Sequence, residues 1–242
     1  MRISVIFLFS LMLLVGCAST PETEVSEKQQ LTDAMTSLRE GKPEQSIAQF
    51  QAIIDKAESE QQKTQAEIGL AYAYYTNDDF EEAYERCNRF IEDNPTHPQL
   101  DYVYYLRGLT KLKQGEIHLQ RLLTAKAPTD DYPGELREAY DYFSALINFF
   151  PQSSYLDQTY QQVDTIRQRL AKYELHLAHN QLALGNLKEA AHHAEYVNKY
   201  YSDTLSRKYA LTIMVRAYKE LDMPQQLNAA ERQLRELTYQ QE

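Results

Sequence analysis

Residues 71–95, which read AYAYYTNDDFEEAYERCNRFIEDNP, contain the pattern that decides the fold. Asp78 separates two stretches in which small and apolar residues recur at helical intervals. In the second stretch these residues are Phe80, Ala83, Cys87 and Phe90. Pro95 follows them at a position where proline commonly ends a helix. The segment therefore predicts two helices joined by a tight turn at Asp78.

The same offsets recur after four other turn positions, which are Gly41, Gly134, Gly185 and Asp222. In each case a small or apolar residue stands five positions after the turn, and two further repeat positions follow at plus nine and plus twelve. These residues are Ser46, Phe50 and Ile53; Ala139, Phe143 and Leu146; Ala190, Ala194 and Val197; and Leu227, Glu231 and Leu234. The pattern resembles the tetratricopeptide repeat, in which small residues let two helices cross closely. It predicts an all-α, tetratricopeptide-like α-solenoid of about five helix-turn-helix repeats.

The middle of the chain departs from this regular spacing. An insertion follows Leu112, and its residues Ala127–Pro133 read as an exposed loop because proline and acidic residues dominate them. The helical pattern from about Tyr155 to Leu184 is longer than one repeat helix. We therefore expect N-terminal repeats one to three over residues 27–152 and C-terminal repeats four and five over residues 153–242.

Composition excludes some classes of function. The formal net charge is −10, which argues against a nucleic-acid-binding protein because such proteins need a basic surface. Of the two cysteines, Cys17 falls in the N-terminal signal. Cys87 is then left without an internal partner, and its apolar helix face predicts a buried thiol.

The N-terminus has the layout of a secretory signal, with Arg2 followed by an apolar run that is too short for an ordinary membrane span. The run ends in Leu14-Val15-Gly16-Cys17, which resembles a bacterial lipobox. This resemblance implies a signal peptide over residues 1–16, a diacylglyceryl anchor on Cys17 and a flexible tether over residues 17–26. Ala18 follows the cysteine, which by lipoprotein sorting rules favours the periplasmic face of the outer membrane.

Several motifs, some of whose residues the repeat does not require, resemble the BamD family of outer-membrane β-barrel assembly lipoproteins. They are Ala71–Tyr75, Arg89–Ile91, Asn94–Pro98, Asp101–Val103, Arg107–Thr110 and Arg169–Glu174. The resemblance implies no catalytic reaction and no cofactor. It implies binding to the periplasmic domains of BamA, to other Bam lipoproteins and to the C-terminal signals of unfolded outer-membrane proteins. By family precedent, residues 155–239 would face BamA.

First-helix positions of such repeats line a concave groove, which in repeats two and three places two pairs of tyrosines there. The pairs are Tyr72 with Tyr75 and Tyr102 with Tyr105, each three residues apart on one helix face. Tyrosine offers both a ring and a hydroxyl group, which suits a peptide with aromatic side chains. Arg107 is a candidate for binding a terminal carboxylate if it points into the groove. Packing of the tyrosines and an ordinary ion pair for Arg107 are the alternatives.

Two other functions stay open at this point. A different periplasmic repeat lipoprotein, such as an adaptor for cell-wall enzymes, would share the repeat pattern. A metal-dependent enzyme would need ligands, and the candidates are His176, His179, His192 and His193. No H-E-x-x-H motif, phosphate-binding loop or nucleophile elbow accompanies them, so we expect solvated histidines and no metal site.

Overall fold

The computed structural model describes residues 21–124 and 131–239, with side chains from residue 27 onward. Within these ranges the regular structure consists of ten α-helices. They are α1 (Pro21–Arg39), α2 (Pro43–Lys56), α3 (Glu60–Thr76), α4 (Phe80–Asp93), α5 (Leu100–Thr124), α6 (Gly134–Phe149), α7 (Leu156–Ala183), α8 (Leu187–Tyr200), α9 (Ser206–Glu220) and α10 (Pro224–Tyr239). The all-α, tetratricopeptide-like solenoid is confirmed. No helix in the described part is long and apolar enough to cross a bilayer.

The N-terminal predictions fall largely outside the described residues. The signal peptide (1–16) and the anchor Cys17 lie there, as do residues 127–130 of the predicted loop. The tether predicted for residues 17–26 is wrong in its last part, because α1 begins at Pro21. Proline is well suited to the first position of a helix, where its fixed φ fits and its missing N–H leaves no bond unmade.

Four of the five turns have the same backbone conformation. Gly41, Asp78, Gly185 and Asp222 adopt positive φ angles of 73°, 60°, 79° and 54°. In each turn the next residue donates its N–H to the carbonyl five residues earlier, as in Asp79 to Tyr74 at 3.0 Å and Lys42 to Ser37 at 2.9 Å. This is the Schellman ending of a helix, which satisfies carbonyl groups that the helix would otherwise leave unpaired.

Gly134 is not a turn of this kind. It is the first residue of α6 and follows Pro133, while the preceding helix α5 ends at Thr124. The prediction failed because α5 continues to Thr124, twelve residues beyond the expected insertion point after Leu112. Its buried side chains keep helical spacing through Leu112, Gly115, Leu119 and Leu122.

The small residues at plus five let consecutive helices approach each other. Ser46, Ala83, Ala139 and Ala190 are completely buried. The Ser46 hydroxyl donates to the Ala34 carbonyl of α1 at 2.8 Å, so its polar group is satisfied inside the crossing. Leu227, the fifth member, is only partly buried because α10 is the last helix described.

The hydrophobic core falls into three clusters. One joins α1, α2 and α3, a second joins α3, α4 and α5, and the third runs from Leu112 to Ala230. The third cluster includes Phe143 of α6 and Ile166 of α7, both completely buried. The chain is thus continuously packed across residue 152, and the division of the repeats at that point stays a prediction.

A buried histidine fastens the end of α5 to the start of α6. His118 hydrogen-bonds with one ring nitrogen to Glu135 and with the other to Asp131, both at 2.8 Å. The Tyr173 hydroxyl of α7 donates to the Asp131 carbonyl at 2.6 Å. Three helices therefore meet at this point, which we call the His118 clasp (His118, Asp131, Glu135 and Tyr173).

Candidate functional site

The four predicted groove tyrosines lie close together on α3 and α5, and each is partly buried. The rings of Tyr72 and Tyr75 stack at 6.3 Å with an angle of 21° between their planes. All four pack against the second core cluster or the third. We call this surface the tyrosine groove (Tyr72, Tyr75, Tyr102 and Tyr105).

A fifth tyrosine completes the groove, and the sequence analysis missed it. Tyr155, directly before α7, lies 5.4 Å from Tyr102 and 5.2 Å from Tyr105, measured between ring centroids. Ser153, two residues earlier, donates its hydroxyl to Asp101 at 2.6 Å and so fixes this stretch against α5. The positional rule that selected the other tyrosines applies within repeat helices, and Tyr155 precedes its helix.

An open cavity of about 320 Å³ lies at the N-terminal end of the groove. We call it the aromatic pocket, and the residues that line it are Leu31, Met35, Phe50, Gln65, Ile68, Gly69, Tyr72, Gln99, Tyr102 and Tyr155. Gly69 permits the close approach of α2 to α3, because a Cβ atom there would lie 2.4 Å from the Phe50 ring. The pocket combines apolar walls and tyrosine rings with two side-chain amides.

Three of the four groove tyrosines have raised pKa values. Burial, together with the nearby Glu116, raises the pKa of Tyr75 to about 12. Burial also raises the pKa of Tyr102 and of Tyr105. Each of these three phenols therefore keeps its proton and can donate a hydrogen bond to a peptide carbonyl while its ring contacts apolar groups.

Arg107 does not belong to the groove, and its predicted place there is wrong. Its guanidinium lies over the rings of Tyr142 and Tyr104, at 4.1 and 4.7 Å, and donates to the Asn88 side chain at 3.2 Å. The physical reason is helix geometry. Two residues correspond to about 200° of rotation, so Arg107 faces away from Tyr105.

The surroundings of Arg107 join α4 and α6 across α5. The hydroxyl groups of Tyr84 and Tyr142 share a hydrogen bond of 2.6 Å. Lys111 lies 4.0 Å from the centre of the Tyr84 ring and pairs with Glu138 at 3.2 Å. The two cations of α5 therefore hold neighbouring repeats together on the opposite face from the groove.

The histidines do not assemble a metal site in the described part of the chain. His193 pairs with the buried Glu174 at 2.8 Å, and His176 shares a hydrogen bond with Asn180 at 2.9 Å. His179 and His192 are exposed. The predicted buried thiol is confirmed, because Cys87 is completely buried and burial raises its pKa to about 12.

Helix pairs with Schellman turns, small residues at the crossings and an aromatic groove on the first helices define a tetratricopeptide-like repeat scaffold. The chain belongs to the YfiO family of outer membrane lipoproteins, whose family model matches residues 23–234. This confirms the resemblance to the BamD family.

Curated relatives agree with this assignment. The outer membrane protein assembly factor BamD of Vibrio cholerae is 30% identical over 218 residues, which cover 89% of this chain and 90% of the relative. The protein of the same name in Neisseria gonorrhoeae is 28% identical and covers 80% of this chain and 72% of the relative. The protein of the same name in Pasteurella multocida is 26% identical and covers 87% of this chain and 81% of the relative.

Solved repeat structures are more distant. A thermophilic tetratricopeptide-repeat protein of Thermus thermophilus is 14% identical with a TM-score of 0.41, covering 81% of this chain and all of that one. The tetratricopeptide-like repeats of a putative kinesin light chain of Podosopora anserina are 15% identical with a TM-score of 0.38, covering 89% of this chain and 96% of that one.

Proposed function

We propose that this chain is a non-enzymatic, lipid-anchored subunit of the outer-membrane β-barrel assembly machine, on the periplasmic face of that membrane. In this role it binds BamA and other Bam lipoproteins, and its tyrosine groove receives aromatic segments of unfolded outer-membrane proteins. Family membership over residues 23–234 supports the assembly role. The lipobox ending at Cys17 supports the anchor.

The observation that carries the client-binding part is the aromatic pocket. Burial raises the pKa of its Tyr102, so that phenol keeps its proton. The two glutamine amides offer donors and acceptors, and the walls are apolar. An extended segment of an unfolded β-barrel protein carries aromatic side chains and unpaired backbone groups. Such a segment satisfies its hydrogen bonds and buries its aromatic rings in a groove of this composition.

We propose that BamA binds the C-terminal repeats, within residues 155–239. Of the nine large hydrophobic side chains that are exposed in the described residues, six lie in this range. They are Tyr160, Leu184, Tyr200, Leu205, Tyr209 and Tyr239. Leu205 and Tyr209 are four residues apart at the start of α9 and are 80% and 60% exposed, so they lie on one exposed helix face.

The first experiment is a pull-down from solubilised envelopes with the full-length chain as bait. Recovery of BamA supports the assembly-machine role. The double variant Leu205→Glu/Tyr209→Glu should lose BamA, whereas Ile117→Glu, which changes an exposed hydrophobic side chain of α5 outside the aromatic pocket, should retain it. Truncation at residue 151 is a poorer test, because it divides the core cluster that joins Phe143 to Ile166.

The alternative is an adaptor lipoprotein for cell-wall enzymes, since any tetratricopeptide-like scaffold can serve that role. In that case the well-folded bait recovers cell-wall enzymes and no BamA. For the metal-dependent enzyme considered above, metal content after dialysis is the direct measurement. Stoichiometric retained metal would contradict the proposed non-enzymatic role.

A further inference from the structure

A second cavity, of about 680 Å³, adjoins the aromatic pocket. It lies between the start of α3 and the connection from α4 to α5, and we call it the acidic trough. Its lining residues are Glu60, Gln61, Thr64, Gln65, Asp93, Asn94, Pro95, Thr96, His97, Pro98 and Gln99. Gln65 and Gln99 line both cavities, so the two are neighbours along α3, and we call them together the channel.

The ionisable side chains that line this channel give it a negative charge. Glu60 and Asp93 are exposed carboxylates in the trough, and none of the described residues that line either cavity is a lysine or an arginine. The one histidine, His97, accepts the Gln99 N–H with its Nδ1, which leaves that nitrogen without a proton. Arg107, which would have bound a carboxylate, faces the other side of α5.

The pKa of Glu67, a carboxyl group near the trough, agrees with a negative electrostatic potential around Glu60 and Asp93. Burial raises the pKa of Glu67, Lys63 at 3.9 Å opposes this, and Glu60 and Asp93 raise the pKa further. Lys63 lines neither cavity.

Building on the proposed function, we infer that the channel binds an extended peptide through an aromatic side chain in the aromatic pocket and a basic side chain in the acidic trough. Charge complementarity selects the lysine or arginine, because two carboxylates face the trough. The same charge disfavours a free terminal carboxylate inside the channel. The channel is thus specific for an aromatic-and-basic segment, whether or not that segment ends the chain.

The length of the channel sets the spacing of the two side chains. Its lining residues on α3 extend from Glu60 to Tyr72, which is about 18 Å at a rise of 1.5 Å per residue. An extended peptide advances about 3.3 Å per residue, and side chains on one face recur every second residue. An aromatic and a basic residue about four positions apart therefore reach the two cavities together.

The experiment measures binding of synthetic ten-residue peptides to the full-length chain purified in detergent. Each peptide carries one phenylalanine and, four positions away, either lysine or glutamate, and each is made with a free or an amidated C-terminus. We expect the lysine peptide to bind about tenfold more tightly than the glutamate peptide, with the difference shrinking at high salt. Amidation should change the affinity less than about twofold.

Variants of the chain locate the effect. Glu60→Gln/Asp93→Asn should remove the preference for lysine, while Glu85→Gln, an exposed carboxylate of α4 outside both cavities, should retain it. Equal affinity for the lysine and glutamate peptides, or loss of binding on amidation, overturns the inference but leaves the aromatic groove intact. If replacing phenylalanine by alanine has no effect, or no peptide binds, both the inference and the proposed client site are wrong.

Discussion

The rings of Tyr105 and Tyr155 stack at 5.2 Å with an angle of 19° between their planes. This contact joins α5 to the segment that leads into the long helix α7. The tyrosine groove is therefore built from residues that are fifty positions apart in sequence. Tyr155 also contacts Tyr102, so one side chain supports both tyrosines of α5.

Replacing Tyr155 by alanine should weaken both folding and peptide binding. The substitution removes two aromatic contacts and leaves a gap beside the aromatic pocket, so we expect a loss of about 1–3 kcal/mol in the free energy of unfolding. Tyr155→Phe keeps the ring and should stay within about 0.5 kcal/mol of the parent chain. Urea unfolding and peptide titration measure the two effects. Unchanged peptide affinity in Tyr155→Ala would remove Tyr155 from the site.

Gly108 lies at a close approach of α5 to α6. A Cβ atom on Gly108 would lie 2.6 Å from the Phe143 ring, which is itself completely buried. We expect Gly108→Ala to lower the free energy of unfolding by about 1–3 kcal/mol through overpacking. Gly134→Ala is the matched control, because nothing lies within 4 Å of a Cβ atom there and alanine favours the helix. Comparable stability of the two variants would show that the α5–α6 crossing adapts.

The His118 clasp should make stability depend on pH in a defined direction. Burial alone would lower the pKa of His118, but the hydrogen bonds to Glu135 and Asp131 outweigh it and raise the pKa. A raised pKa in the folded state stabilises the fold at a pH below the unfolded value of about 6.5. This stabilisation is lost as the pH rises through the folded pKa.

The two carboxylates of the clasp set the lower limit of the pH range in which it stabilises the fold. Hydrogen bonds to His118 lower the pKa of Asp131, and they lower that of Glu135 against the effect of burial. Their contribution is lost as acid protonates them. Lys111 and Arg121 of α5 also face these carboxylates, and Tyr132 and Tyr173 complete the surroundings.

His118→Gln should therefore destabilise the chain more at pH 5.5 than at pH 8.5, as urea unfolding at the two pH values would measure. His179→Gln, which changes an exposed histidine of α7, is the control and should show no such difference. An equal loss at both pH values for His118→Gln would mean that the ring packs without carrying a proton.

The repeat architecture was predictable because close helix crossings demand small residues at fixed intervals. Ala83 and Ala190 could be placed from spacing alone, and both are completely buried. The extension of α5 to Thr124 was missed because the insertion was expected directly after Leu112. Leu119 and Leu122 continue the buried face and would have indicated the helix.

The groove was predictable only in part. Tyr72 and Tyr102 line the aromatic pocket, as their register in the first helices suggested. Tyr155 reaches it from outside the repeat pattern, and no periodicity identifies a residue that precedes its helix. The acidic trough depends on the connection between α4 and α5, whose path is set by tertiary packing.

Arg107 provides the sharpest test of which face of α5 binds peptide. Its guanidinium lies between two tyrosine rings on the side opposite the groove, so Arg107→Ala should cost about 1–3 kcal/mol of stability and leave peptide affinity unchanged. Arg107→Lys keeps the charge but loses the planar contact with the rings. Its free energy of unfolding should therefore lie between those of the parent chain and Arg107→Ala. Tyr102→Ala should instead lower peptide affinity. If Arg107→Ala abolished binding of a peptide with a free C-terminus while its unfolding curve stayed unchanged, the groove would lie on the other face of the solenoid.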